Sequence, residues 1–353
     1  MDAETRSGDI NSSPALAADG APAARRRVWA RFRRNRLARA SAWFLALCLL
    51  LILASMPFAL SWFDMQGLEN AVRHPPVVTP VADADAFSGQ LRQNPLGRWF
   101  TWAEPAAHYV AGWMGYDALG RSLLYRCMLG WLVSLGIGLA AACFAVVFGT
   151  FWGAVAALAG GRTDTLMMRV VDMFYGLPYV LLVILLKVGL EGPLRSLLGD
   201  RAELANVVIL FAAIGAVSWL TPARVVRGQV LSLAQQVFVE AARAGGAGTL
   251  RILWRHLLPN LVGPVVVCAT LVVPQAILQE SFLSFLGIGV RAPIPSLGRL
   301  AADGVQAVNT FVGFWWLITF PCVLLVATLL ALNFLGDGLR DALDPKSSQA
   351  PIV

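Results

Sequence analysis

Long apolar runs separated by short polar segments set the pattern of this chain. They fall at about 40–63, 129–159, 170–190, 205–222, 262–288 and 312–335. Each matches or approaches the ~20 residues that a helix needs to cross the bilayer hydrocarbon. In lipid a segment must satisfy its own backbone hydrogen bonds, so the runs predict an all-α, polytopic transmembrane helix bundle with six spans. Glycine recurs in the second and fifth runs (Gly136, Gly138, Gly149, Gly153; Gly263, Gly287, Gly289), which suits close helix packing. Pro178 and Pro274 fall inside the third and fifth and are expected to kink them.

Composition agrees with the pattern. The chain is 58% hydrophobic and 14% charged, against about 25% charged in soluble domains. Its net charge of +7 would suit nucleic acid were it spread over a surface. Much of it sits instead in one block, Arg25, Arg26, Arg27, Arg31, Arg33, Arg34, Arg36 and Arg39, directly before the first run. Basic residues there report orientation and contact with anionic lipid, not nucleic-acid binding. They place the N-terminus in the cytoplasm, and six crossings return the C-terminus to the same side.

The chain then divides into a cytoplasmic tail with its Arg block (1–39), an uncleaved first helix (40–63), an extracytoplasmic loop (64–128), a core of five further helices (129–345) and a C-terminal tail (346–353). A loop at 223–260 bears Arg224, Arg227, Arg243, Arg251 and Arg255 and falls on the cytoplasmic side. Trp99, Phe100, Trp102, Tyr109, Trp113 and Tyr116 in the long outer loop read as interfacial aromatics. Cys48, Cys127, Cys143, Cys268 and Cys322 lie at no paired or metal-like spacing.

A catalytic constellation is not visible. There is no Gly-x-x-x-x-Gly-Lys-Ser/Thr phosphate loop, so ATP hydrolysis by this chain is not expected. His-Glu-x-x-His and Gly-x-Ser-x-Gly are missing, and His74, His108 and His256 are scattered. No metal site is expected from Asp337, Asp341 and Asp344, which lack ion-loop spacing.

The most informative polar stretch runs from Phe238 to Asn260. Ser232 to Ala244 is expected to be helical, with Glu240 among small alanines. Gly245, Gly246 and Gly248 break it. Thr249 is then an N-cap for a second helix, Leu250 to Leu257, which Pro259 ends. Such a helix–turn–helix suits either of two roles: transmitting force from a soluble partner, or lying passively at the membrane surface.

The same stretch resembles the Glu-Ala-Ala loop of permease subunits in ATP-binding cassette importers. The matching positions are Glu240, Ala241, Ala242, Gly246, His256, Leu258, Pro259 and Asn260. Three further stretches are similar to the oligopeptide, dipeptide and nickel branch, in the second permease of its pair. These are Gly115–Ser122, Phe282–Gly289 and Asn333–Pro345. The entry Trp29–Asn35 also fits that subunit. Tyr116 and Ser122 depart from the Thr and Asp usual there, and Gly130-Trp131-Leu132 stands where Gly-Ala-Arg is usual.

What the resemblance implies is half of a translocation path for peptides or similar small solutes, multi-pass in a bacterial inner membrane. The chain would work with a sister permease, two ATPase subunits and an extracytoplasmic solute-binding protein. It would bind no cofactor, with ATP and Mg on the ATPases. Glu240, Ala241, Ala242, Gly246, Arg251, Arg255, His256 and Pro259 would form the ATPase-coupling surface. A stand-alone secondary transporter would want inverted repeats and several intramembrane ionisable residues. A membrane-embedded enzyme would need catalytic groups.

Other residues carry narrower expectations. Glu280 either lines the path, with Pro274 kinking the helix beside it, or pairs with an Arg for structure. Lys187 is expected to snorkel to the interface, and Asp172 and Arg169 either form a local ion pair or mark the helix end. Asp117 and Arg121 either close a turn or meet the binding protein. Gly336 and Gly338 are expected to end the sixth span.

Overall fold

The computed structural model describes residues 29–64, 110–198, 202–308 and 314–343, apart from positions 31, 111, 118–120 and 292–293. The tail with Arg25 to Arg27, Arg31, most of the loop 64–128 (including His74, Trp99, Phe100, Trp102, His108 and Tyr109), Arg201, Asp344 and the tail 346–353 lie outside the described residues. The helices are α1 (Arg36–Asp64), α2 (Leu123–Ala159), α3 (Gly161–Tyr175), α4 (Tyr179–Leu198), α5 (Ala202–Ser218), α6 (Leu220–Ala234), α7 (Val237–Ala244), α8 (Thr249–Ile252), α9 (Leu258–Phe285), α10 (Leu297–Ala307) and α11 (Trp316–Leu343). A π-helical turn, Leu253–Leu257, joins α8 to α9.

The bundle is built around α2. With 37 residues it is about 55 Å long at ~1.5 Å per residue, well beyond ~30 Å of hydrocarbon. It packs against α1, α3, α5, α6, α9, α10 and α11. The approach to α6 is backbone to backbone. A Cβ at Gly149 would lie 2.6 Å from the Trp219 carbonyl oxygen, and one at Gly153 would lie 2.3 Å from that of Ala223. Only glycine fits at such a crossing. Phe148 and Trp152 seal the same joint against Trp219, with ring centroids 4.9 and 5.1 Å apart. At the start of α1 the Asn35 side chain accepts from the Ala38 amide at 3.2 Å, a helix N-cap.

Among the described residues, five helices or joined helices are long and apolar enough to cross a membrane: Arg36–Met56, Leu123–Ala159, Ala205–Ala234, Thr249–Phe285 and Trp316–Leu343. The sixth crossing exists only if α3 and the apolar part of α4 count as one span, and these are bent by 97° at the break between them. The kink expected from Pro178 in the run 170–190 is a full helix break. Gly176 and Pro178 break the helix, because proline disfavours helical backbone at the residue before it and removes a donor.

Two other boundaries differ. The helix through Pro274 is continuous from Leu258 to Phe285, with Pro264 also inside it. Gly336 and Gly338 do not end the last span, since α11 runs on to Leu343. They serve contact instead: a Cβ at Gly338 would meet that of Ala38 at 2.2 Å, and one at Gly336 would meet Thr270 at 2.9 Å. The expected loop 223–260 also begins later than its first residue, because α6 carries the fourth crossing to Ala234.

Candidate functional site

Helix α7 is short, and its sequence, Val-Phe-Val-Glu-Ala-Ala-Arg-Ala, has one side that buries and one that does not. Val239 is fully buried and joins an apolar cluster with Ala154 of α2, Val226 and Val230 of α6, and Ile252, Leu253 and Leu257. Ala242 packs against the same cluster. The other side is exposed: Val237 keeps 79% of its surface and Phe238 39%, beside Glu240, Ala241 and Arg243. Leu250 (70%) and Trp254 (63%) extend this apolar exposure along the next segment.

The turn after α7 has a defined construction. Gly246 sits at φ +79°, the left-handed region that costs other residues about 1–2 kcal/mol. The Ala247 amide donates to the Ala242 carbonyl at 3.0 Å, and the Gly246 amide to that of Arg243 at 2.9 Å. These are the two bonds of a Schellman C-cap, and the flanking Ala242 and Ala247 both pack on the apolar cluster. Gly246 therefore fixes where the chain leaves α7.

The sequence reading placed one helix from Ser232 to Ala244. The structure breaks it at Gln235 and Gln236, so that α7 is a separate element. Nor does Pro259 end a helix. It stands in the first turn of α9, where its missing N–H costs nothing. The π turn just before it widens the helix where the proline ring would otherwise press on the carbonyl of Arg255. Thr249 lies inside α8, with Gly248 in the cap position. The Asn260 side-chain amide donates to the His256 carbonyl at 2.7 Å.

The expected coupling residues thus share one end of the molecule. Glu240, Ala241, Gly246, Arg251, Arg255 and Pro259 are exposed there, while Ala242 and His256 are partly buried. Two ion pairs beside this end tie α3 to α6. Asp164 accepts both Arg227 Nε and Nη2 at 2.6 Å, and Asp172 accepts Arg224 Nη2 at 2.6 Å. Of the two readings of Asp172, the local pair with Arg169 gives way to Arg224 as its partner. Its guanidinium also lies 3.8 Å from the Tyr175 ring centroid.

Asp117 and Arg121 lie before α2, at the opposite end of that helix. The Asp117 carboxylate accepts the Arg121 amide and Nε, both at 2.9 Å, and Arg126 Nη1 at 2.6 Å. Arg126 also reaches Asp303 at 3.4 Å, and Asp303 accepts Arg299 Nε at 2.9 Å. This chain of charges joins the turn to α10 across a cleft of about 330 Å³. Burial pushes the neighbouring Tyr116 phenol up to about 12. Sequence reasoning missed Arg126 and Asp303; an arginine in the first turn of an apolar run was the available signal.

Glu280 is fully buried, and its partners are hydroxyls, not an arginine. Ser284 donates to it at 2.7 Å and Ser281 at 3.3 Å, and Ser134 and Ser296 face it from α2 and the start of α10. Pro274 is buried on the same helix. Lys187 is also buried, so it does not snorkel. Its ammonium donates to the Ile288 carbonyl and, at 3.2 Å, to that of Gly289. Among the described residues no group of three or more His, Cys, Asp or Glu side chains is placed to hold a metal ion.

Comparison with known proteins follows the same outline. Residues 145–349 match the family described as binding-protein-dependent transport system inner membrane component, and residues 24–76 match the N-terminal transmembrane domain of oligopeptide transport permease C. The dipeptide transport system permease protein DppC of Bacillus subtilis is 44% identical over 66% of this chain and 68% of its own length. The oligopeptide transport system permease protein OppC of Escherichia coli K12 is 46% identical over 68% and 73%. An inward-facing structure of the MetNI methionine transporter aligns with TM-score 0.50 at 20% identity, covering 63% of this chain and 98% of that one.

Proposed function

The chain belongs to the binding-protein-dependent transport system inner membrane components and is a permease subunit of an ATP-binding cassette importer; from that premise we propose that it carries peptides and that α7 receives the stroke of a separate ATPase. The observation that supports this reading most directly is the construction of α7. Val239 anchors it to α2, α6 and the entry to α9, while Phe238, Glu240 and Ala241 face outward. A soluble subunit bound to that face pushes on three membrane-crossing elements at once. The Gly246 cap and the π turn leave little slack between α7 and α9. Closure of the ATPases then rocks the spans between inward- and outward-facing states.

In this reading the α7 end and both termini lie in the cytoplasm of a bacterium, and the Asp117 end meets the solute-binding protein. The complex holds a sister permease and two ATPase subunits, which bind ATP and Mg. The peptide assignment rests on the relatives, which are named as dipeptide and oligopeptide permeases.

The reading is tested with the complete importer in proteoliposomes. Glu240→Lys places a cation on the exposed face, and Gly246→Asp adds a side chain and a negative charge at the exposed turn. Both are expected to abolish peptide uptake while the chain still inserts and assembles with the sister permease. Undiminished uptake by both variants would overturn the coupling assignment.

A further inference from the structure

One face of the bundle is polar where a lipid-facing surface would be apolar. Gln275 stands at the midpoint of the run 262–288, with Gln279 one turn further along the same face of α9. Gln275 is exposed and Gln279 partly so. The amide oxygen of Gln279 accepts from the Tyr179 hydroxyl, and Ser218 lies 3.4 Å away. Thr221 is exposed next to it and shares a 2.6 Å hydrogen bond with Tyr175. Carboxamides in hydrocarbon are costly without partners, so this face borders a wet path or another protein.

The surface there is concave. A cavity of about 400 Å³ lies among Tyr175, Tyr179, Thr221, Gln275 and Gln279. A second, of about 470 Å³, shares Thr221 and Gln275 with it and runs past Gln229 to Arg340. Together they make a groove along α6 and α9 leading toward the C-terminal end of α11. Each part falls within the roughly 300–1,000 Å³ of small-molecule sites. Arg340, at one end, is the single charged residue among the described residues that line it. The helix break at Gly176 to Pro178 opens beside Tyr175, where irregular backbone is tolerated because it lines a cavity.

We propose that Gln275 and Gln279, with Tyr179 and Thr221, form a site in the translocation path that reads the peptide main chain. The Gln275 carboxamide offers an acceptor and two donors, the complement of a peptide unit, and Gln279, whose oxygen accepts from Tyr179 and Ser218, offers its two N–H donors. Two glutamines one helical turn apart are about 6 Å apart along the axis, close to the ~6.6 Å repeat of alternate residues in an extended chain. Tyr175 and Tyr179 give side chains an aromatic wall. Among the described residues no acidic side chain lines the groove and its one cation, Arg340, stands at the far end, so the two glutamines hold the backbone without selecting side-chain charge. This assignment rests on the peptide reading above.

The test uses the whole importer in proteoliposomes, saturated with its binding protein, and compares a tripeptide with the same tripeptide N-methylated at one internal amide. The wild-type complex is expected to favour the unmodified peptide. Gln275→Leu/Gln279→Leu is expected to lower its maximal uptake by tenfold or more and to erase the preference between the two. Equal loss for both peptides with the preference kept would assign the face to a packing contact with the sister permease and overturn the site. Wild-type rates in the double variant would overturn it equally. Failure of the wild-type complex to take up any peptide would overturn the peptide reading itself, and the site with it.

Discussion

Gln279 and Glu280 are neighbours on α9 with different surroundings: Gln279 opens onto the groove beside Tyr179, while Glu280 is enclosed by Ser134, Ser281, Ser284 and Ser296. One residue is a rotation of about 100° around a helix. The same rotation separates exposed Gln275 from buried Pro274. An intramembrane acid attracts attention as a path residue, yet here the uncharged neighbours face the open side.

With these partners Glu280 is expected to act in packing. It joins α9 to α2 and the start of α10. Glu280→Gln keeps acceptor and volume, and the purified complex is expected to retain its melting temperature and transport rate. Glu280→Ala leaves four hydroxyls facing a void and is expected to lower stability by about 1–3 kcal/mol. Thermal melting of the detergent-solubilised complex measures the difference. Altered transport by Glu280→Gln at unchanged stability would put Glu280 in the path instead.

The α2–α6 crossing sets a contrast between two glycines. Gly153 has no room for a side chain, with the Ala223 carbonyl oxygen 2.3 Å from its hypothetical Cβ, whereas Gly136 has nothing within 4 Å. Gly153→Leu is expected to remove folded protein from the membrane fraction, and Gly136→Leu to leave its yield unchanged. Fluorescence-detected size-exclusion chromatography of tagged variants reports both.

The ion pair of Asp164 with Arg227 holds amphipathic α3 on α6. Arg227 is about one-third exposed, so the pair contributes no more than about 1 kcal/mol. Asp164→Asn is expected to speed amide hydrogen exchange in α3, and the swap Asp164→Arg/Arg227→Asp to restore part of the protection. Exchange in α3 that ignores both variants would show the pair to be incidental.

Gly246→Ala tests the cap by degrees. No atom lies within 4 Å of a Cβ there, so its cost is the left-handed backbone alone, about 1–2 kcal/mol. Uptake is expected to fall several-fold without loss of assembly, less than for Gly246→Asp. Equal loss in both variants would mean that the backbone conformation, not the added charge, is decisive.

Much of this architecture is legible in the apolar runs, because spanning helices need long uninterrupted segments and the chain supplies them. The turn after α7 was legible too, since Gly246 and the Glu-Ala-Ala triplet mark a break beside a small-residue helix. The facing of α9 was not. That helix is apolar around most of its circumference, so periodicity has no stripe to report, and Glu280 cannot be told from Gln279 by spacing. The break at Gly176 to Pro178 hid inside a hydropathy average that spans it. Arg224 as the partner of Asp172, and Arg126 as that of Asp117, are contacts between separate helices or turns that no local pattern encodes. Pro259 misled because proline both ends helices and begins them.

Photo-crosslinking from single positions decides whether the outward face of α7 meets an ATPase. A photoreactive residue at Ala241, which is exposed, is expected to yield an adduct with the ATPase subunit in the assembled importer. The same residue at Val239, which is buried, is expected to yield only adducts within this chain. Adducts with lipid alone from Ala241, in a complex that still hydrolyses ATP, would contradict the claim and return α7 to a passive place on the membrane surface.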